Sequence, residues 1–123
     1  MKYLLLTYLD EKAWGALPEA EQQRLMDGPR PHVEKLLAAR KFLGGAPLHP
    51  TSEASTATVR DGKRLVTDGP YAETREQLGG YTLIEADSQD EAMEIAAAFF
   101  GPAGFPGSIE VRQVLEISGI PTH

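Results

Sequence analysis

The sequence predicts an α+β fold of the ferredoxin-like split βαβ kind, with an extra β-hairpin inserted between its two halves. Three observations carry this. Apolar residues recur along the chain in the order strand, helix, strand, hairpin, strand, helix, strand. Asp61-Gly62 separates two runs rich in β-branched residues, the strongest short-range hairpin signal because both central positions of the turn need φ > 0. Ser88 with Glu91 three positions on forms a capping box ahead of an apolar stripe. At 123 residues and 41% hydrophobic, the chain has the composition of one globular domain with a true core.

Each element follows in turn. Lys2 to Tyr8 reads as a strand, and the unbroken run Tyr3-Leu4-Leu5-Leu6 suggests burial on both faces and a central place in the sheet. Asp10 is placed to cap a short helical turn holding Trp14. A helix runs from Pro18 to about Met26, with Glu19 and Glu21 at its positive end. The stretch Asp27-Gly28-Pro29-Arg30-Pro31 interrupts it, since each proline removes an amide donor and restricts the residue before it. A second helical piece starts near Pro31 and places Val33, Leu36 and Leu37 on one face.

Phe42 to Leu48 is the next strand, with Gly44-Gly45 marking a bulge or a close backbone approach. Ser55 to Arg60 and Lys63 to Thr67 form the hairpin. Residues 68–79 read as a structured loop or a single helical turn. Tyr81 to Ala86 is a strand, and the helix opened by Ser88 buries Ala92, Ile95, Ala96 and Phe99 before Gly101-Pro102 stops it. A Gly/Pro-rich loop leads to Gly107, and Ile109 to Ile117 closes the sheet with Ile109, Val111, Leu115 and Ile117 on one face.

Right-handed crossovers put both helices on the same side of the sheet. The other side also carries apolar residues, and bare it would be a large exposed patch. A second copy is the expected cover, giving a homodimer with two sheets face to face. The alternative is a monomer whose hairpin folds over the sheet.

The net charge of −6 argues against nucleic-acid and anionic-membrane partners. With no cysteine, disulfides, thiol catalysis and cysteine-bound metals are excluded. The N-terminus lacks the features of a signal segment, so a soluble cytoplasmic protein is expected. Neither a GxGxxG nor a GxxxxGK pattern occurs, and His32, His49 and His123 have no metal-ligand spacing, so no cofactor or metal is expected. The acidic residues Glu11, Glu19, Glu21 and Asp90 read most simply as a solvated face.

Chemistry concentrates between Asp61 and Tyr81, DGKRLVTDGPYAETREQLGGY, where turn residues fix a scaffold from which Asp68, Glu73, Arg75 and Glu76 project. The run DGPYAETREQLGGYTLIEA, with the N-terminal MKYLLLTY and the RDGKRLVTDGP hairpin, resembles the YCII-related family, in the branch named for its Asp-Gly-Pro-Phe motif. The resemblance spans nearly the whole chain and implies a dimeric α+β barrel. It also implies a His–Asp pair of proposed catalytic role, a relative that is a dehydrochlorinase of a chlorinated aromatic, and an association of this branch with extracytoplasmic-function sigma factors. Tyr71 replaces the usual Phe and Arg75 the usual Lys, and the break at Asp27 to Pro31 is unusual for the branch.

His32 and Asp68 are the sharpest catalytic pair, since a carboxylate beside an imidazole orients it for proton transfer. The alternative leaves His32 on the surface and Asp68 as a turn residue accepting backbone amides. Glu73 and Arg75 are candidate substrate-binding residues, Arg75 as a fork for a carboxylate, or else members of a structural ion-pair network. Tyr71 and Tyr81 are candidates to line an apolar pocket, or else core or interface residues.

Two main readings of function follow. One is a small cofactor-independent lyase or hydrolase acting on a small organic molecule through His32 and Asp68. The other is a non-catalytic module that binds a small ligand or a partner such as a sigma factor. A purely structural subunit is a third.

Overall fold

The computed structural model describes residues 1–101 and 106–122. Part of the expected loop between Gly101 and Gly107, and the terminal His123, lie outside the described residues. The elements are β1 (Lys2–Leu9), α1 (Glu11–Gly15), α2 (Glu19–Asp27), α3 (Arg30–Ala38), β2 (Phe42–Pro47), β3 (Ser55–Arg60), β4 (Lys63–Asp68), β5 (Gln77–Glu85), α4 (Gln89–Ala98) and β6 (Gly107–Gln113), with a short 3-10 turn at Thr51–Glu53.

The four-stranded sheet has the order β2-β5-β1-β6, antiparallel throughout. β5 therefore separates β1 from β2, and β1 separates β5 from β6. This is the split βαβ arrangement twice over. Tyr3 and Leu5 point to the helix side of β1 and are buried, whereas Leu4 and Leu6 on the other side are half-buried. Leu36 of α3 and Ala92, Ile95 and Ala96 of α4 close over Tyr3, Leu5 and Ile84, so both helices lie on one face, as the right-handed crossovers require.

The proline-rich interruption does what its chemistry dictates. α2 ends at Asp27, Gly28 is its C-cap, and α3 begins at Arg30 with a proline in its first turn. Leu37, expected on the buried face of α3, is instead half exposed, while Leu36 is buried and His32 and Val33 are half-buried. Asp10 caps α1 by accepting from the amides of Lys12 and Ala13 at 3.0 and 3.1 Å.

Two strand boundaries differ from expectation. β5 starts at Gln77, so Gly79 and Gly80 are strand residues and not loop. β6 ends at Gln113, and Leu115 and Ile117 are exposed. The β1 edge is used up there: the Val114 amide takes the Lys2 carbonyl at 2.8 Å.

The hairpin forms as expected, with Asp61 at φ 51° and Gly62 at φ 76°. It makes a separate two-stranded sheet without extended contact to the other one, and Val59 and Val66 are largely exposed. It does not fold over the open sheet face.

At the opposite end, Lys41 after α3 reaches Glu91 in the first turn of α4. Glu91 also accepts from the Asp87 amide at 3.3 Å, while its own amide donates to Ser88 Oγ at 3.1 Å. The hydrogen bond from Lys41 holds the Glu91 carboxyl below its ordinary range, and the same bond raises the Lys41 ammonium. The Glu91 contribution to stability is thus complete above the usual glutamate pKa and lost as pH falls through the lowered folded value. The Lys41 contribution is complete below the usual lysine pKa and lost as pH rises through the raised folded value. Glu91→Gln keeps an acceptor for Asp87 but loses the ion pair. It is expected to lower the melting temperature slightly at neutral pH and to match wild type in strong acid, as read by thermal melts across pH; equal destabilisation at all pH values would refute the assignment.

Candidate functional site

The floor of the site is backbone. On the helix side of the sheet, Gly45 and Gly80 follow Phe42 and Ile84 in register towards the far end of β2 and β5. A Cβ on Gly45 would lie 2.6 Å from the Tyr81 carbonyl oxygen, and one on Gly80 would lie 3.2 Å from that of Ala46. Only glycine lets the strands approach this closely. It also leaves space above the sheet where core side chains would otherwise stand.

That space is a cavity of about 640 Å³, within the size range of small-molecule sites. Thr7 and Leu9 of β1 and Ile109 of β6 extend its floor. Trp14 of α1, Met26 of α2, Pro29 and Phe99 form its walls. The segment Pro47 to Pro50 runs along it and brings His49 to its lining.

The cavity wall is held by a polar relay. The Glu11 amide donates to Gln77 Oε1 at 2.9 Å, which pins the start of α1 to the start of β5. The Glu11 carboxylate then accepts from the Thr51 amide at 3.1 Å and from the Thr51 hydroxyl at 2.9 Å. Gln77 Nε2 donates back to the Thr74 carbonyl, closing the loop before β5. Glu11, expected on a solvated face, is therefore the joint between three segments. Its position just after a capping Asp was the available signal.

Of the six residues singled out in the sequence, Tyr81 lines this cavity. His32 is half-buried on α3 behind Phe99. Its Nε2 lies 2.9 Å from the Ile95 carbonyl oxygen, to which it donates, and its ring meets Phe99 edge to face at 4.6 Å. Asp68 is exposed at the end of β4, opposite Ser55, and forms no ion pair among the described residues. The structure thus does not join His32 to Asp68 within one protomer. Tyr71 and Glu73 are exposed. Arg75 is exposed as well, and borders a second hollow that shares Trp14 and Leu9 with the first. Among the described residues no ion pair joins Asp68, Glu73, Arg75 or Glu76, while Glu76 accepts from the Ser108 hydroxyl at 3.1 Å.

Among the described residues, no cluster of three or more His, Asp or Glu is suited to hold a metal, and no helix is long and apolar enough to cross a membrane.

A split βαβ sheet carrying a ligand-sized apolar cavity under its helices defines a class of small α+β proteins built around one pocket. Within that class the chain belongs to the YCII-related family, whose domain model matches residues 1–118. It is 38% identical over 112 residues to the uncharacterised protein R00369 of Rhizobium meliloti (strain 1021), covering 91% of this chain and 90% of that one. Its fold resembles that of 5-chloro-2-hydroxyhydroquinone dehydrochlorinase TftG from Burkholderia phenoliruptrix AC1100, solved in complex with 2,5-dihydroxybenzoquinone. That likeness has a TM-score of 0.50 at 19% identity and covers 94% of both chains.

Proposed function

We propose that this protein binds a small, flat, mainly apolar organic molecule in the cavity under its helices, and acts on it as a cofactor-independent lyase or hydrolase. The observation that carries the reading is the cavity itself: about 640 Å³ in a chain of 123 residues, floored by glycines and walled by Trp14, Met26 and Phe99. The dehydrochlorinase of similar fold was solved with a small quinone, a molecule of the size this space admits. Elimination from such a ring needs no oxidant. A base takes the proton, and the leaving group departs with the electron pair of its own bond. Tyr81, the one original candidate in the lining, contributes main chain beside Gly45, while its side chain lies on the other face of the sheet.

Trp14 is the sole tryptophan, which makes it the natural reporter. Titration with 2,5-dihydroxybenzoquinone and related hydroxylated rings is expected to quench its fluorescence saturably and to raise the melting temperature. Gly15→Leu places a side chain where a Cβ meets nothing within 4 Å, at the cavity lining, and is expected to weaken binding about tenfold. Binding unaffected by Gly15→Leu, or absent for every ring tried at millimolar concentration, would sink the proposal.

A non-catalytic binding module is the second reading, favoured by one specific observation. His32 spends its Nε2 on the Ile95 carbonyl and forms no ion pair among the described residues. Either reading carries the expectation of a homodimer. The helix-free face of the sheet presents Leu4, Leu6, Tyr81 and Leu83 in cross-strand register, and the hairpin does not cover them.

A further inference from the structure

We propose that His49, oriented by Glu53, receives a ring hydroxyl of the molecule in the cavity, so that the site selects hydroxylated rings over their ethers. This deepens the binding reading above and rests on it.

Among the described residues His49 is the one imidazole in the cavity lining. Its own side chain is mostly exposed, which puts it at the rim, where a bound ring would meet it. The segment that carries it is nevertheless fixed on both sides. Before it, the Leu48 amide donates to the Gly79 carbonyl at 2.8 Å, continuing the pairing of β2 with β5. After it, Thr51 is tied through both its amide and its hydroxyl to the Glu11 carboxylate. The 3-10 turn that follows is closed by the Glu53 amide on the Pro50 carbonyl at 3.0 Å, and Pro50 restricts the backbone between. A polar residue at a rim so anchored is held where a ligand group arrives and does not drift with a loose loop.

The turn also delivers the partner. Glu53 Oε2 lies 3.6 Å from His49 Nδ1. This is longer than a hydrogen bond but close enough for the carboxylate to favour the tautomer with its N–H on that side. Nε2 then keeps its lone pair for a donor from the cavity.

The other ionisable side chain of the lining, Glu11, is less free to accept, and the hydroxyls of Thr7 and Thr82 belong to the floor strands. Both Glu11 oxygens already serve Thr51. His32 lies behind Phe99 with Nε2 engaged as a donor. A ring hydroxyl that reaches the rim, with its apolar body against Trp14 and Phe99, therefore finds its acceptor in His49. A ring bearing a methyl ether at that point has no proton to give and loses the contact.

The probes are hydroquinone and its dimethyl ether, which share the ring and differ in the O–H. Affinities are measured by calorimetry on wild type, His49→Gln and Glu53→Gln. Both substituted side chains are exposed, so folding is not at stake, and circular dichroism checks it. Wild type is expected to bind hydroquinone about five- to tenfold more tightly than the ether. His49→Gln is expected to erase that preference by weakening hydroquinone alone, with Glu53→Gln in between. Retention of the full preference in His49→Gln overturns the proposal while leaving the cavity reading intact. So does an equal loss for both probes, which would make His49 a structural residue of the rim. Failure of wild type to bind either probe removes the cavity reading, and this one with it.

Discussion

Truncation of Ile84 to alanine is expected to lower the free energy of unfolding by about 2 to 5 kcal/mol. Ile84 has 0% of its surface exposed. It stands in the central strand pair, opposite Tyr3 on β1 and Phe42 on β2, and beneath the layer formed by Leu36 and Ile95. Removing its methyl groups leaves a void that β5 cannot collapse into, because that strand is paired on both sides. The loss combines lost transfer energy with the cavity left behind. Denaturant unfolding reads it as a lower midpoint at unchanged slope. Val59→Ala on the exposed hairpin is the control and should stay within about 0.5 kcal/mol of wild type. A similar small effect at Ile84 would mean that the core is not where the helices close over the sheet.

Leu6→Lys is expected to turn the proposed homodimer into a folded monomer. Leu6 lies on the sheet face opposite the helices, across from Tyr81 on β5, and Leu4 lies across from Leu83. These side chains make an apolar strip that is half-buried at Leu4, Leu6 and Leu83 and exposed at Tyr81. A lysine there would bring an ammonium into the proposed interface, and taking it out of water costs several kcal/mol per ion for each copy even beside Glu110, which lies across from Leu6 on β6. Leu6 is only half-buried in the single chain, so the protomer itself tolerates the change. Sedimentation velocity gives the answer directly. A wild type that sediments as a monomer at micromolar concentration would overturn the homodimer.

The fold was legible where local chemistry and burial point the same way. Asp61-Gly62 could adopt one kind of turn, and the strands on either side had to follow. Ser88 and Glu91 announced α4, although Glu91 reaches the Asp87 amide and Lys41 instead of the amide of Ser88 itself. The break between α2 and α3 was legible because proline cannot donate. Gly79-Gly80 misled for a stated reason: glycine punctuates turns but also permits close strand approach, and only the neighbouring strand decides which applies. The same choice was left open at Gly44-Gly45, where the β2 register does shift beside Gly44.

The site was harder to read, since a cavity is a property of elements far apart in the chain. Trp14, His49, Thr82 and Phe99 share a wall but no local pattern. Density of charge near Asp68 drew notice, yet a charged side chain on an isolated hairpin stays in water. The positions that converge are quieter ones: a glutamate after a cap, a histidine between Leu and Pro, and glycines inside strands.

The glycine floor separates two things that most small proteins keep coupled. Where core side chains line a pocket, reshaping the pocket also perturbs the core. Here the floor at Gly45 and Gly80 is main chain, and of the described lining residues Phe42, Phe99 and Ile109 are the ones that also pack against the core around Ile84. Substitutions at Met26, Pro29 or His49 alter the walls without touching the packed layer. Such a scaffold can exchange one ligand for another by a few changes at little cost in stability, which makes it a fold well suited to diversify.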